Sequence, residues 1–147
     1  MTESLKTEPQ IKETEERKPL TKKEIAADHP TWCPGCGDFS VLSINYKLIQ
    51  KRNIHHEKVT TVAGIGCSSR FPYFVQAHGA HYIHGRALSF ASGVSLSRPD
   101  LHVFAFGGDG DAYSIGGNHF IHTARKNVKM TYVCLLYTSD AADEEEV

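Results

Sequence analysis

Apolar segments that each end in a glycine-rich turn dominate the middle of this sequence. Val59 to Ala63 runs into Gly64-Ile65-Gly66, and Leu101 to Phe106 runs into Gly107-Gly108-Asp109-Gly110-Asp111. A short continuous apolar run bounded by turns is typical of a strand that is buried on both faces of a parallel sheet. The pattern therefore predicts an α/β protein.

The spacing of apolar residues predicts helices and strands in alternation. Helices are expected at 39–52, 86–97 and 115–125, and strands at 59–63, 101–106 and 128–133. Asp38 follows a glycine-rich turn and is expected to be the N-cap of the first helix. Right-handed crossovers then give a doubly wound parallel sheet, whose ligands bind at the carboxyl ends of the strands. Both glycine-rich turns fall at those ends.

The composition changes along the chain and divides it into three parts. Twelve of the first 24 residues are charged, so residues 1–28 are expected to form a disordered tail. Residues 29–133 hold the motifs and are expected to form a partial domain. Residues 134–147 differ in composition from the preceding residues and contain five acidic and no basic residues. They resemble a translated sequencing adapter, and an ordinary acidic C-terminus is the alternative. On the adapter interpretation, the native protein is truncated near Val133.

Charge and composition exclude several classes of protein. The formal net charge of -1 argues against a nucleic-acid-binding protein. No apolar run approaches the roughly 18 residues of a membrane-spanning helix. No export signal opens the sequence, so its four cysteines are expected to be thiols in the reducing cytoplasm. Such thiols are metal ligands or catalytic groups.

Three cysteines form the first chemical constellation. Cys33-Pro34-Gly35-Cys36 is a C-x-x-C turn that can direct two sulfurs to one point, and Cys67 follows a predicted strand. Converging thiols favour a metal site, and an iron–sulfur cluster, a zinc ion and an unmetallated dithiol all remain open. His29 is a candidate nitrogen ligand.

The Gly107–Asp111 turn is the second constellation. Glycines at the end of a strand let the backbone approach a diphosphate closely, and the helix that follows favours an anion. Asp109 offers a hard oxygen for Mg²⁺, which bridges to phosphate oxygens. A purely structural turn is the alternative.

Taken in order, the motifs resemble one known family. They are Trp32-Cys33-Pro34-Gly35-Cys36-Gly37, Gly64-Ile65-Gly66-Cys67-Ser68-Ser69-Arg70, His84-Gly85-Arg86-Ala87, and Gly107-Gly108-Asp109-Gly110-Asp111 with Ile115-Gly116-Gly117-Asn118-His119. This succession resembles the beta subunit of 2-oxoacid:ferredoxin oxidoreductases, which have a thiamine diphosphate-binding fold. The continuation Arg70-Phe71-Pro72-Tyr73 is most similar to the 2-oxoglutarate type.

The resemblance implies a role for each matching residue. Cys33, Cys36 and Cys67 would be ligands of a 4Fe-4S cluster, and Asp109 would bind Mg²⁺. His84 would be catalytic, close to the reacting end of the cofactor, with a structural hydrogen-bonding role as the alternative. The residues implied to contact thiamine diphosphate are Ile65, Gly66, Cys67, Ser68, His84, Gly108, Gly110 and Asp111. For Asp111 the alternative is a helix N-cap.

The family's activity follows as an expectation. It is the coenzyme A-dependent oxidative decarboxylation of a 2-oxoacid, with electrons passed through the cluster to ferredoxin and an alpha subunit as partner. The family's Asn-Asn pair and fourth cluster cysteine do not occur at the expected distances, which implies an incomplete fragment that is inactive alone. Two other functions remain open. One is a zinc-stabilised binding module, and the other is a cluster-free thiamine diphosphate decarboxylase or synthase.

Overall fold

The computed structural model describes residues 18–136 of the chain. The predicted C-terminal tail therefore lies outside the described residues from Tyr137 onwards, as does most of the charged N-terminal segment. Residues 18–28, which the sequence places in that segment, include the short helix α1 (Lys22–Ile25). Ile25 is 1% exposed, and Ala26 forms a bridge with Val75. The packed domain therefore includes residues that precede 29.

A parallel sheet organises the domain. Its strands are β1 (Val59–Ala63), β2 (His78–His81), β3 (His102–Gly108) and β4 (Thr131–Leu135), in the order β2-β1-β3-β4. All pairings are parallel, with Ala63 opposite both His81 and Phe106. From the central strand β1 the chain continues to β2 at one edge of the sheet, and from the central strand β3 it continues to β4 at the opposite edge. This confirms the predicted α/β fold, and its switch point lies between β1 and β3.

Helices cover both faces of the sheet. They are α2 (Gly37–Lys51), α3 (Phe71–Phe74), α4 (Ala87–Ser97) and α5 (Gly117–Lys126). Those expected at 39–52, 86–97 and 115–125 therefore form close to their predicted bounds. Among the helices of residues 18–136, none combines the length and apolar content that crossing a bilayer requires.

The expected capping role of Asp38 is wrong. Cys36 is the N-cap residue of α2, and Asp38 lies inside the first turn with 0% exposure. Its Oδ2 accepts a hydrogen bond from the Cys36 thiol at 3.3 Å. The chain therefore enters the helix earlier than the glycine-rich turn suggested, and the carboxylate points into the protein.

Two apolar cores lie on opposite sides of the sheet because successive side chains of a strand point to opposite faces. On β3, Phe104 and Phe106 belong to one core, whereas Val103 and Ala105 belong to the other. The first core is rich in aromatic rings, and Phe71 stacks on Phe106 with ring centroids 4.0 Å apart. The second core holds the small residues of α4, so that helix lies close to the sheet.

Candidate functional site

Three loops meet the carboxyl edge of the sheet, one after each of the first three strands. Residues 64–70 follow β1, residues 82–86 follow β2, and residues 109–114 follow β3. Parallel strands that are neighbours bring such loops together at one edge. This is where doubly wound sheets bind their ligands, and the sequence-predicted site residues 65–68, 84 and 108–111 all lie here.

The C-x-x-C turn precedes α2. The Cys36 N–H donates to the Cys33 carbonyl at 3.0 Å, and Gly35 closes the turn with a φ of 81°, in the left-handed region that favours glycine. Cys33 is exposed, and Cys36 is half-buried at the start of the helix. The thiolate is the form of cysteine that binds metal.

Cys67 lies on the loop after β1 and is exposed. Gly66 precedes it with a φ of 116°, and a 3-10 turn, Ser68–Arg70, follows it. The Arg70 N–H donates to the Cys67 carbonyl at 3.2 Å. This local bonding fixes the backbone of the loop while the thiol faces outward.

Trp32 joins the two cysteine-bearing segments. Its Nε1–H donates to the Cys67 carbonyl at 2.7 Å, across 35 residues of sequence. The indole ring is 7% exposed and packs against Phe39, Phe71 and Phe74, with centroids 5.4, 5.2 and 4.7 Å away. The ring is therefore held firmly by the aromatic core, and it holds the loop of Cys67 beside the turn of Cys33 and Cys36.

The cysteine sulfurs are not gathered as the ligands of one small ion. Within residues 18–136, the one group of three metal-binding side chains with donor atoms within 4.8 Å of each other is His55, His56 and Glu57, at the amino end of β1. A zinc ion needs its sulfur ligands at about 2.3 Å from the metal, which crowds them together. A cluster of several irons is larger, and its ligands stand further apart.

Asp109 follows β3 directly and is exposed. A Cβ added to Gly108 or Gly110 on either side would meet its nearest atom only at 3.9 Å. Because Asp109 is exposed, its carboxylate is accessible to a metal ion, as a site for Mg²⁺ and phosphate oxygens requires. Gly110–Ser114 then forms a π-helical turn, which overlaps the glycine-rich turn predicted at Gly107–Asp111.

Asp111 differs from Asp109 because its carboxylate is buried. The residue is 4% exposed, and Oδ1 accepts hydrogen bonds from the N–H groups of Ile65 at 3.1 Å and Gly85 at 2.8 Å. His84 lies beside it, with Nε2 at 3.9 Å from Oδ1 and a side chain that is 45% exposed. The structure therefore brings the loops after β1, β2 and β3 together at the Asp111 carboxylate.

The other predicted cofactor contacts divide by exposure. Ile65 is 52% exposed, and Gly66 is exposed as well, whereas Ser68 is 5% exposed. Ile65 therefore presents an apolar side chain at the open edge of the site. The roles of these residues toward a cofactor stay predictions.

Sequence reasoning missed a further buried group near the site. Tyr132 of β4 has a buried hydroxyl with no hydrogen-bond partner among the described residues. Burial, followed by the neighbouring Cys134, Asp111 and Tyr113, raises the pKa of this phenol, so it stays protonated. Periodicity alone could not have identified the Tyr132 hydroxyl as part of this region. Its position next to Gly107 depends on the pairing of β3 with β4.

Comparison with known proteins places these features in a family. The model of the thiamine pyrophosphate enzyme C-terminal TPP-binding domain matches residues 60–136, which is more than half of the chain. The chain belongs to the thiamine pyrophosphate enzymes. The match spans β1 to β4 and includes the turn that bears Asp109 and Asp111.

The curated relatives of this chain include subunits of 2-oxoglutarate oxidoreductases, in agreement with the resemblance to beta subunits. The 2-oxoglutarate oxidoreductase subunit KorB of Mycobacterium tuberculosis is 46% identical over 114 residues, covering 77% of this chain and 31% of the relative. The 2-oxoglutarate synthase subunit KorB of Methanocaldococcus jannaschii is 46% identical over 104 residues, covering 71% and 38%. This chain therefore spans about a third of the length of these curated relatives.

A solved structure is similar over most of the chain. The 2-oxoglutarate:ferredoxin oxidoreductase from Magnetococcus marinus, with 2-oxoglutarate, coenzyme A and succinyl-CoA bound, superposes with a TM-score of 0.77 and 47% identity. It covers 85% of this chain, which corresponds to 42% of that chain. The predicted fold of the thiamine diphosphate-binding type is thereby confirmed.

Proposed function

We propose that this chain is the part of a 2-oxoacid:ferredoxin oxidoreductase beta subunit that holds the cofactor and the cluster. The reaction would be the coenzyme A-dependent oxidative decarboxylation of a 2-oxoacid. One observation carries this proposal: the Ile65 N–H bonds to Asp111, which brings the Cys67 loop to the Asp109 turn. An electron-accepting cluster needs to lie close to the group that it oxidises, and this contact supports such a placement.

The residues after β3 suit a magnesium diphosphate. Asp109 would hold Mg²⁺ through an exposed carboxylate oxygen. Gly108 and Gly110 would leave room for phosphate oxygens beside the backbone, since added Cβ atoms there meet nothing closer than 3.9 Å. Thiamine diphosphate, when bound, supplies the electron sink that decarboxylation requires.

The three cysteines suit a 4Fe-4S cluster better than zinc. Cys33, Cys36 and Cys67 lie on two segments that Trp32 joins, and within residues 18–136 their sulfurs do not form a group of donor atoms within 4.8 Å of one another. Fully thiolate ligation is typical of such clusters. His84, half-exposed beside Asp111, would face the reacting groups and hold or release a proton at Nε2.

The substrate and partners are proposed from the relatives. The names of the M. tuberculosis and M. jannaschii proteins, and the 2-oxoglutarate bound in the M. marinus enzyme, favour 2-oxoglutarate over other 2-oxoacids. An alpha subunit and ferredoxin would complete the system. We also propose that residues from Cys134 onwards are adapter-derived, although Cys134 and Leu135 complete β4 in this structure. Genomic sequencing beyond the codon for Val133 tests this directly.

Replacing a cysteine tests the proposed function. We expect the complete subunit, assembled with its partner and purified without oxygen, to show broad visible absorption and to contain iron. Cys36→Ala should remove both the absorption and the reduction of an electron acceptor, because it deletes a ligand. Asp109→Asn is the matched comparison: it should keep the absorption and weaken the binding of thiamine diphosphate.

Two outcomes would favour the other functions. A colourless protein that contains zinc would support a zinc-stabilised binding module. If Cys36→Ala still reduced the acceptor at the unaltered rate, the protein would be a cluster-free thiamine diphosphate enzyme.

A further inference from the structure

One carboxylate oxygen connects the loops that follow three neighbouring strands. Asp111 Oδ1 accepts from the N–H of Ile65, in the loop after β1, and from the N–H of Gly85, in the loop after β2. Asp111 itself lies in the turn after β3 and is 4% exposed. Hydrogen bonds from backbone N–H groups to an ionised acceptor are stronger than neutral ones, and burial protects them from competition with water.

The backbone leaves room for this carboxylate at Gly64. A Cβ added to Gly64 would overlap the carboxylate of Asp111, and a Cβ on Gly107 would lie 3.2 Å from Oδ2. Gly64 is not in the left-handed region, unlike Gly85 with a φ of 72°. The absence of a side chain at position 64 is therefore explained by the space that Asp111 occupies and not by backbone conformation.

We propose that Asp111 is a positioning residue, which fastens the loop of Cys67 and the loop of His84 to the turn of Asp109. Cys67 is two residues from Ile65, and His84 is next to Gly85, so the two hydrogen bonds set where both functional side chains stand. This inference rests on the proposed function for the roles of Cys67, His84 and Asp109. It assigns to Asp111 a task other than contact with the diphosphate.

Hydrogen exchange at two amides tests the proposal in the complete subunit. In Asp111→Ala, exchange at the Ile65 and Gly85 amides should rise about tenfold or more, because each loses a bond to a charged acceptor. Asp111→Asn keeps an oxygen acceptor and should retain most of the protection. The control is Ser95→Ala, which removes the 2.6 Å hydrogen bond to the Lys129 carbonyl and should leave both amides unchanged.

A double-mutant cycle adds a second measurement. Gly64→Ala should displace the carboxylate and raise exchange at Gly85, although residues 64 and 85 are far apart in sequence. In the Asp111→Ala background the same change has space for its methyl group, so its effect on exchange should largely disappear. If Asp111→Ala does not fold, two single variants still test the proposal. Exchange at the Gly85 amide should rise in Gly64→Ala and should stay largely unchanged in Asp111→Asn.

Three results would overturn the proposal. They are unchanged protection of both amides in Asp111→Ala, additive effects in the cycle, and equal losses in Asp111→Asn and Asp111→Ala. Weakened binding of thiamine diphosphate with both amides still protected would instead make Asp111 a cofactor ligand. None of the exchange measurements needs activity or a cluster, so failure of the proposed function would leave this test interpretable.

Discussion

At the scale of single residues, Trp32 is the link on which the proposed cluster site depends. Trp32→Phe keeps an aromatic ring in the core but removes the Nε1–H that bonds to the Cys67 carbonyl. We expect a loss of more than about 1 kcal/mol in unfolding free energy, because the lost hydrogen bond contributes about that much and the smaller ring also leaves a void in the core. We also expect faster loss of iron to a chelator, because the Cys67 loop is no longer tied to the C-x-x-C turn.

Tyr46→Phe is the matched control for Trp32. It also removes one donor to a backbone carbonyl, that of Phe74, and keeps its ring in the same core. Urea denaturation should show a loss of stability for both variants, larger for Trp32→Phe because its smaller ring also leaves a void, whereas iron release should change only for Trp32→Phe. Equal iron release from the two variants would contradict a specific role for Trp32.

Residue types and spacing indicated the cysteines and the Asp109 turn as candidate site residues, and the family resemblance added the others, but neither indicated which side chains are buried. Asp109 and Asp111 are two residues apart in one turn, yet one is exposed and the other is enclosed by backbone from two other loops. Asp38 likewise was expected to cap a helix and instead accepts from Cys36. Each outcome depends on partners that are distant in sequence or on a helix start two residues earlier, which local patterns do not contain.

At the scale of elements, β2 shows where periodicity loses its predictive power. Its sequence, His78-Gly79-Ala80-His81, lacks β-branched residues, and its burial is low because it lies at the edge of the sheet. Its backbone pairs with β1, and Gly79 leaves room for Pro72, because an added Cβ would lie 3.1 Å from the Pro72 Cβ. The buried strands β1 and β3, by contrast, were predicted from their apolar runs.

The amino ends of β1 and β3 are linked by charges. Asp100, just before β3, accepts from Arg98 Nε at 2.8 Å and from Lys58 Nζ, just before β1, at 2.7 Å. The hydrogen bonds from Arg98 and then Lys58 lower the pKa of this carboxyl well below its usual range. The folded state therefore binds this proton less readily than the unfolded state does.

Asp100→Asn tests this link through its pH dependence. A lowered folded-state pKa stabilises the fold above the ordinary carboxyl pKa of about 3.9, and the contribution is lost as the pH falls toward the folded value. Urea denaturation near neutral pH should therefore show the wild type to be slightly more stable, with the difference shrinking in acid. Because the Lys58–Asp100 and Arg98–Asp100 ion pairs are largely exposed, added salt should also reduce the difference in stability between the wild type and Asp100→Asn. A gap that widens in acid would contradict the assignment.

At the scale of the whole molecule, the carboxyl edge of the sheet carries an apolar rim. Each loop after a strand presents an exposed isoleucine: Ile65 after β1, Ile83 after β2 and Ile115 after β3, which are 52%, 70% and 55% exposed. Exposed apolar groups concentrated at one side of a protein are typical of an interaction surface. The same loops carry the proposed cofactor contacts, so a partner that covers the three isoleucines would also exclude water from the reaction.

The apolar rim predicts where the proposed alpha subunit binds. Ile83→Asp places a charge on the most exposed of the three isoleucines and should markedly reduce co-purification of the alpha subunit, since burial of an unpaired charge is costly. Leu96→Asp is the control, because Leu96 is 68% exposed but lies near the end of α4, which leads back to the amino edge of the sheet. Thermal unfolding of the isolated subunit should be similar for both variants. If Leu96→Asp disrupted the complex and Ile83→Asp did not, the partner would have to bind the opposite edge, and the cofactor site would face solvent.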